Sequence, residues 1–210
     1  MRDDHIKKTI AVYNAMAEKY ARKLNDFAPL PERKKFIALL PNHAHILDVG
    51  CGPGRDADYF TANGSSVTGV DFSEKLLEIA RLRVPQALFY KQDFRLLHFP
   101  KQSFDGIWAC ASLLHLKRDE VPMVLNNFFQ LLKSGGILFI MVKEGKGEAD
   151  VAEELSSNLS RHFIYFQREE LKKLLKNTGF EVVEQYAYNE KDRKPDHRDL
   201  WWISSFSRKP

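Results

Sequence analysis

Along this chain, short unbroken apolar runs alternate with stretches whose apolar residues recur every three or four positions. Residues 45–49 read as a buried strand, followed by a glycine cluster and a helix over 55–62. Residues 66–70 read as a second strand ending at Asp71. A helix capped by Ser73 then puts Leu76, Ile79, Ala80 and Val84 on one face. Residues 87–90 and 104–109 predict a third and a fourth strand. Val121, Val124, Leu125, Phe128, Leu131 and Leu132 predict an amphipathic helix over 120–132, with Asp119 as its N-cap and Pro122 in the tolerant first turn. Ser134, Gly135 and Gly136 then turn the chain into a fifth strand over 137–142.

After that the rhythm breaks. Residues 143–167 hold two glycines, an acidic stretch and an aromatic cluster, and read as an insertion or lid. A helix over 168–177 stops at Gly179, and strands over 180–188 and 200–207 flank a charged turn, 189–199. Strand, turn and strand without a helix between them predict an antiparallel edge pair, with one of the adjacent Trp201 and Trp202 buried and the other at the edge. Ahead of the first strand, Ile6, Ile10, Tyr13, Ala17, Tyr20 and Leu24 share one helix face, and 32–40 forms a second helix. The expected fold class is therefore α/β: a Rossmann-like, doubly wound, seven-stranded, mostly parallel sheet with an antiparallel edge pair and helices on both faces. With no long linker, the expectation is one domain over 1–210. It would consist of a helical cap (1–41), a core (42–143), the insertion (144–167), and a C-terminal helix with antiparallel strands (168–210).

Composition narrows the class of function. Hydrophobic residues at 44% and aromatics at 12% supply a full core. The net charge of +4, from 32 basic and 28 acidic residues, describes a mixed surface and gives no footing for nucleic acid. The longest apolar run, 137–142, is far short of the ~20 residues of a membrane helix, and the N-terminus lacks the apolar core of a signal peptide. Two cysteines, Cys51 and Cys110, without CxxC or Cys/His spacing, point to a reducing, cytoplasmic setting and no metal. The expected state is a monomer or homodimer.

Candidate chemistry centres on Gly50-Cys51-Gly52-Pro53-Gly54, between a buried strand and a helix, where glycines let the backbone approach a ligand. Asp71, at the end of the next strand, is placed for ribose hydroxyls. The spacing is not GxGxxG, because Arg55 takes the third glycine's place, and Asp48 just before the loop would repel a pyrophosphate. A nicotinamide-dependent dehydrogenase is thereby disfavoured.

Residues 46–54, ILDVGCGPG, resemble the first motif of class I S-adenosylmethionine-dependent methyltransferases, of the small-molecule type. Gly69 to Ser73, Gln92 to Phe94, Phe104 to Ala109 and Leu131 to Gly136 resemble the second to fifth motifs in order. The resemblance implies that Asp48 organises the loop containing Gly54, and that Gly50, Cys51 and Gly52 line the methionine moiety. It gives Asp71 the ribose, Phe72 and the Phe94 amide the adenine ring, Asp93 the adenine amino group, and Ala109 the sulfonium. Tyr13 and Tyr20 resemble a helix that closes over the methionine end, with core packing as their competing role; Arg33 is a candidate for the methionine carboxylate.

Methyl transfer from a sulfonium needs placement more than acid–base help, so the family has no universal catalytic residue and the sequence names none. His115, past the fourth strand, Lys143, at the end of the fifth, and Tyr165, in the insertion, are the substrate-side candidates; His45 and His98 read as structural. Tyr13, Tyr20, Tyr165 and His115 are expected to line one pocket around a small-molecule acceptor. An RNA or protein methyltransferase is the alternative within the class. Against it, Trp108-Ala109-Cys110-Ala111 stands where amino-group methylators carry Asn/Asp-Pro-Pro-Tyr. A noncatalytic S-adenosylmethionine-binding regulatory protein would carry the same cofactor motifs.

Overall fold

The computed structural model describes residues 4–152, 159–194 and 196–210. Five strands run parallel: β1 (His45–Val49), β2 (Ser66–Asp71), β3 (Leu88–Lys91), β4 (Phe104–Cys110) and β5 (Leu132–Lys143). A separate antiparallel hairpin follows, β6 (Glu148–Ala152) with β7 (Ser160–Ile164). Strands β8 (Glu181–Asn189) and β9 (Trp201–Arg208) then complete the main sheet in antiparallel sense, giving the order β3-β2-β1-β4-β5-β9-β8. Because β1 pairs with β2 on one side and β4 on the other, the winding reverses between β1 and β4. In an open parallel sheet, that reversal opens a crevice at the carboxyl ends of the strands.

Helices cover both faces: α1 (Asp4–Leu24), α2 (Leu30–Ala38), α3 (Arg55–Ala62), α4 (Glu74–Arg83), α5 (Val121–Leu131), α6 (Arg168–Thr178) and the single turn α7 (Glu190–Arg193). Side chains alternate along each strand, so the sheet divides the core in two. Ile107, Ala109, Leu138 and Ile140 pack with Val124, Leu125 and Phe128 of α5 and Leu171 and Leu175 of α6. On the other face, Ile46, Trp108 and Phe139 meet Phe36 of α2, Phe60 of α3 and Leu77 of α4. Trp108 stacks on Phe139 at 4.0 Å and is fully buried. Each such large side chain contributes about 1.5–3 kcal/mol of burial energy.

Most predicted elements stand within a residue or two of their expected ends. Ser73 caps α4, its Oγ accepting from the Leu76 N–H, and Gly179 ends α6 in the left-handed region. Trp202 is buried and Trp201 half-exposed. Four expectations change. β5 begins at Leu132, five residues before the expected start at 137, so Ser134, Gly135 and Gly136 lie within the strand instead of turning into it. Asp119 does not cap α5; a 3₁₀ turn, Arg118–Glu120, precedes the helix, and the Glu120 carboxylate instead accepts from the Lys117 N–H at 2.8 Å. The second helix starts at Leu30 rather than 32, with Pro31 in its first turn. The insertion holds the β6–β7 hairpin, whose connecting residues 153–158 lie outside the described residues, as does residue 195 of the charged turn. Among the described residues no helix is long and apolar enough to cross a membrane.

Candidate functional site

The glycine loop sits at the reversal between β1 and β4. Gly50 has φ +71°, and the Gly50 and Cys51 N–H groups both donate to the Val70 carbonyl, at 2.8 and 3.0 Å, tying the loop to β2. A Cβ on Gly50 would lie 2.6 Å from Cβ of Ser112, so only glycine fits that approach. Asp71, at the end of β2, accepts from the Gly52 N–H at 2.9 Å and the Ser73 N–H at 2.8 Å. Burial pushes its carboxyl up, while these N–H groups favour the carboxylate. Each carboxylate oxygen keeps a further lone pair for a ligand hydroxyl. Phe72 and Phe94 meet edge to face at 5.6 Å beside it.

One continuous cavity runs from this loop across the strand ends, about 1580 Å³ counted out to its open mouth. Gly50, Cys51, Gly52, Asp71, Phe72 and Phe94 line it, as do Tyr13, Tyr20, His115 and Lys143. Six expected site residues lie elsewhere. Asp48 is buried beneath the loop with Oδ2 lacking a hydrogen-bond partner, and burial with neighbouring Asp56 raises its carboxyl. Gly54 faces α4, where its Cβ would meet that of Ala80 at 3.1 Å. Asp93 is held by Arg95, whose Nε and second guanidinium nitrogen donate to it at 2.9 and 2.7 Å. Ala109 belongs to the α5 side of the sheet, and Cys110 and Ala111 take the cavity-facing place. Tyr165 follows the last residue of β7, where the strand alternation stops, and it packs against Gly145.

The sixth, Arg33, is buried on α2, its guanidinium bound to Asp56. Asp56 is a hub: it also accepts from Arg55 at 2.8 Å and from the Trp108 ring N–H at 2.9 Å. Arg55, not Arg33, reaches the cavity wall, and it donates to the Leu24 and Phe27 carbonyls at 3.2 Å, fastening the end of α1.

Helix α1 forms the roof. Its Asn14 side chain accepts from the Ser73 hydroxyl at 2.7 Å, beside Asp71. One residue earlier on the roof, the Tyr13 hydroxyl lies 3.0 Å from His115 Nε2, and His115 Nδ1 lies 3.0 Å from the His162 carbonyl oxygen. A carbonyl only accepts, so Nδ1 carries the proton and Nε2 accepts from Tyr13. Arg161 donates to the same Tyr13 oxygen. Burial, and after it the Arg161 guanidinium, push the His115 imidazole down to about 3, so it is neutral at pH 7. Lys143 Nζ sits 3.7 Å above the Phe163 ring.

The far wall comes from a stretch the sequence presents only as a charged turn. Tyr188, Glu190, Arg193, His197 and Trp202 line the cavity there. Glu190 binds Trp202 Nε1 at 2.7 Å and Arg198 at 2.6 Å, and the His197 ring packs on Phe27 at 4.7 Å. A signal was present: the tryptophan pair begins a strand that runs antiparallel to β5, and Trp202 pairs with Lys143 at the end of β5.

A family model described as a methyltransferase domain matches residues 14–185. The ubiquinone biosynthesis O-methyltransferase of Coxiella burnetii is 33% identical over 143 residues, covering 63% of this chain and 60% of that protein. The chain thus spans about three fifths of the length of the curated relatives it matches. Among solved structures, the 1,6-didemethyltoxoflavin-N1-methyltransferase of Burkholderia thailandensis, with 1,6-didemethyltoxoflavin and S-adenosylhomocysteine bound, superposes with a TM-score of 0.79. It is 23% identical and covers 100% of this chain and 90% of its own. A [4+2]-cyclase superposes with a TM-score of 0.67 at 22% identity, covering 90% of this chain and 80% of its own, so this fold alone does not dictate one reaction.

Proposed function

Since the chain belongs to the methyltransferase-domain family, we propose that it binds S-adenosylmethionine over β1 and β2 and methylates a small-molecule acceptor held under α1. The observation that carries this reading is the continuity of the cavity, from Asp71 and the glycine loop to an aromatic compartment roofed by Tyr13. The residues present fit the cofactor. Gly52 leaves open space where a Cβ would stand, Asp71 offers a half-buried carboxylate with spare lone pairs, and Phe72 and Phe94 give apolar walls for a base. The C. burnetii relative is an O-methyltransferase, and the B. thailandensis structure holds S-adenosylhomocysteine; both support the same assignment.

When bound, the cofactor supplies a methyl group already activated on a sulfonium. The chain's part is placement and exclusion of water. Tyr13, Tyr20, Phe163 and Trp202 surround the acceptor compartment with rings, which removes competing solvent. His115 holds its proton at Nδ1, and its Nε2 is covered by the Tyr13 hydroxyl. An acceptor hydroxyl that displaces Tyr13 there finds a neutral nitrogen that accepts its hydrogen bond and orients it, without basicity enough to take the proton. Residues 1–41 and the hairpin within 144–167 act as covers in this reading, and the free thiols of Cys51 and Cys110 suit a cytoplasmic setting.

Calorimetry with S-adenosylhomocysteine and with NAD, followed by tritiated-methyl transfer across metabolite, RNA and protein fractions, tests the assignment. Heat with the sulfur ligand alone and label in the metabolite fraction are expected. Label confined to RNA or protein would overturn the acceptor class, and heat with NAD alone would overturn the cofactor.

A further inference from the structure

We propose that the acceptor is a flat, conjugated acid that binds and reacts as its anion against Lys143, Arg161 and the Phe163 ring, an inference that deepens the small-molecule reading above and rests on it. Lys143 ends β5 and Arg161 lies on β7 of the hairpin, yet both arrive at one phenyl ring. Lys143 Nζ is 3.7 Å and the Arg161 guanidinium carbon 5.0 Å from the Phe163 ring centre. The same guanidinium stands 5.1 Å from the Tyr13 ring centre and donates to the Tyr13 hydroxyl. All four residues line the cavity. An aromatic face attracts cations, so these two rings gather two positive groups at one place on the acceptor side.

The charge of the wall extends beyond this pair. Among the described residues that line the cavity, six are Lys or Arg and four are Asp or Glu. Three of those four are engaged by the protein: Asp56 by Arg33 and Arg55, Glu190 by Arg198 and the Trp202 ring N–H, and Asp71 by the Gly52 and Ser73 amides at the nucleoside end. The fourth, Asp26, is exposed. His115 registers the balance from inside: after burial, Arg161 does most to push its ring down, and Lys143 and the His162 ring act in the same direction. A cleft lined by an excess of one sign concentrates ligands of the other.

Methyl transfer asks for such a ligand here. A hydroxyl or ring N–H loses its proton in becoming methylated, and the His115 ring, which orients a hydroxyl, is too weak a base to take that proton. A conjugated acid gives its proton to water outside and enters as the anion, its charge spread over a flat body that the rings of Tyr20 and Trp202 also flank. Its lone pair forms the bond to the methyl carbon, the carbon–sulfur bond breaks, and that electron pair stays on sulfur as a neutral thioether. The anion and the sulfonium are both discharged, so the positive wall holds the substrate and not the product.

The test uses two probes of similar size, 4-nitrophenol, an acid near neutrality, and 4-nitrobenzyl alcohol, which stays neutral, each with S-adenosylhomocysteine in place. The absorbance of the phenolate reads its ionisation while bound. We expect bound nitrophenol to ionise about one pH unit below the free probe, the anion thus binding roughly ten-fold more tightly than the acid, and the alcohol to bind more weakly than the anion. Lys143→Met, which keeps an unbranched side chain and removes the charge, should undo most of the shift. Nitrophenol that ionises at its free value or above it when bound would overturn the proposal, as would tighter binding of the alcohol, or binding of neither probe to a protein that binds S-adenosylhomocysteine. A shift left whole in a folded Lys143→Met would overturn it too, and the wild-type shift decides alone if that variant does not fold. A protein that bound no S-adenosylhomocysteine would instead undo the cofactor assignment beneath the proposal.

Discussion

The cavity has two walls built on different plans. On the β1–β2 side, the contacts stay within one strand-helix-strand unit: Gly52 N–H to Asp71, Ser73 N–H to Asp71, loop amides to Val70. On the far side, one hydrogen-bonded chain links Arg161, Tyr13, His115 and His162, from the roof helix, the loop after β4 and a hairpin strand. A wall made of neighbouring strand ends is fixed once the parallel sheet forms. A wall made of distant segments exists only when all of them have docked, and it can be altered piece by piece. The first suits a ligand that is always the same, and the second suits one that differs among relatives.

Three experiments press on this difference, taken from the largest effect down. Asp71→Ala should weaken S-adenosylhomocysteine binding at least about 100-fold, since two hydrogen bonds to a charged acceptor are worth roughly 1.5–3 kcal/mol each. Calorimetry reads the change, and an unaltered far-ultraviolet spectrum would show that the sheet survives. An unchanged dissociation constant would mean that the near wall is not the nucleoside site.

The second concerns acid. His115 is held at about 3 in the folded chain, so between there and its ordinary value the unfolded chain binds the extra proton. Stability therefore falls as pH drops through that window. The slope is at most about 1.4 kcal/mol per pH unit, or up to about 2 kcal/mol between pH 6.5 and 5. Urea titrations at pH 7 and pH 5 should show this extra loss in the wild type and not in His115→Asn. Equal losses would mean that the ring is not buried beside Arg161 and Lys143 as placed.

Tyr13→Phe is the mildest and sharpest case. It removes the hydroxyl between Arg161 and His115 while keeping the ring. Turnover of the acceptor should fall roughly ten-fold per lost hydrogen bond, with S-adenosylhomocysteine affinity nearly unchanged. Equal damage to both would erase the distinction between the walls.

The same contrast explains what could be read from the chain. Residues 45–73 are legible because the strand, glycine turn, helix and strand that make the near wall follow one another, and each signal is local. Arg33 misled for a physical reason. A lone arginine near a loop looks available, and only the folded chain shows Asp56 already holding it. Ala109 misled by one position, because the pleat of β4 sends that side chain toward α5 and leaves Cys110 on the cavity side. Tyr165 was lost to the end of β7. The wall of Tyr188, Glu190, His197 and Trp202 was signalled only by the tryptophan pair, because the rest of its meaning depends on an antiparallel return that brings it beside Phe27.

The Asp56 hub constrains how this protein can change over time. Its single carboxylate serves two guanidiniums and an indole drawn from α2, α3 and β4. Loss of Asp56 leaves two buried guanidiniums without their carboxylate, at a cost of roughly 3–5 kcal/mol, a large share of the stability of an ordinary domain, whereas loss of one arginine leaves the other still paired. Replacing the charged members together with apolar residues of similar volume can be neutral. Position 56 therefore changes least freely on its own: its carboxylate can leave only together with the two arginines it holds, while either arginine can be replaced with the other still in place.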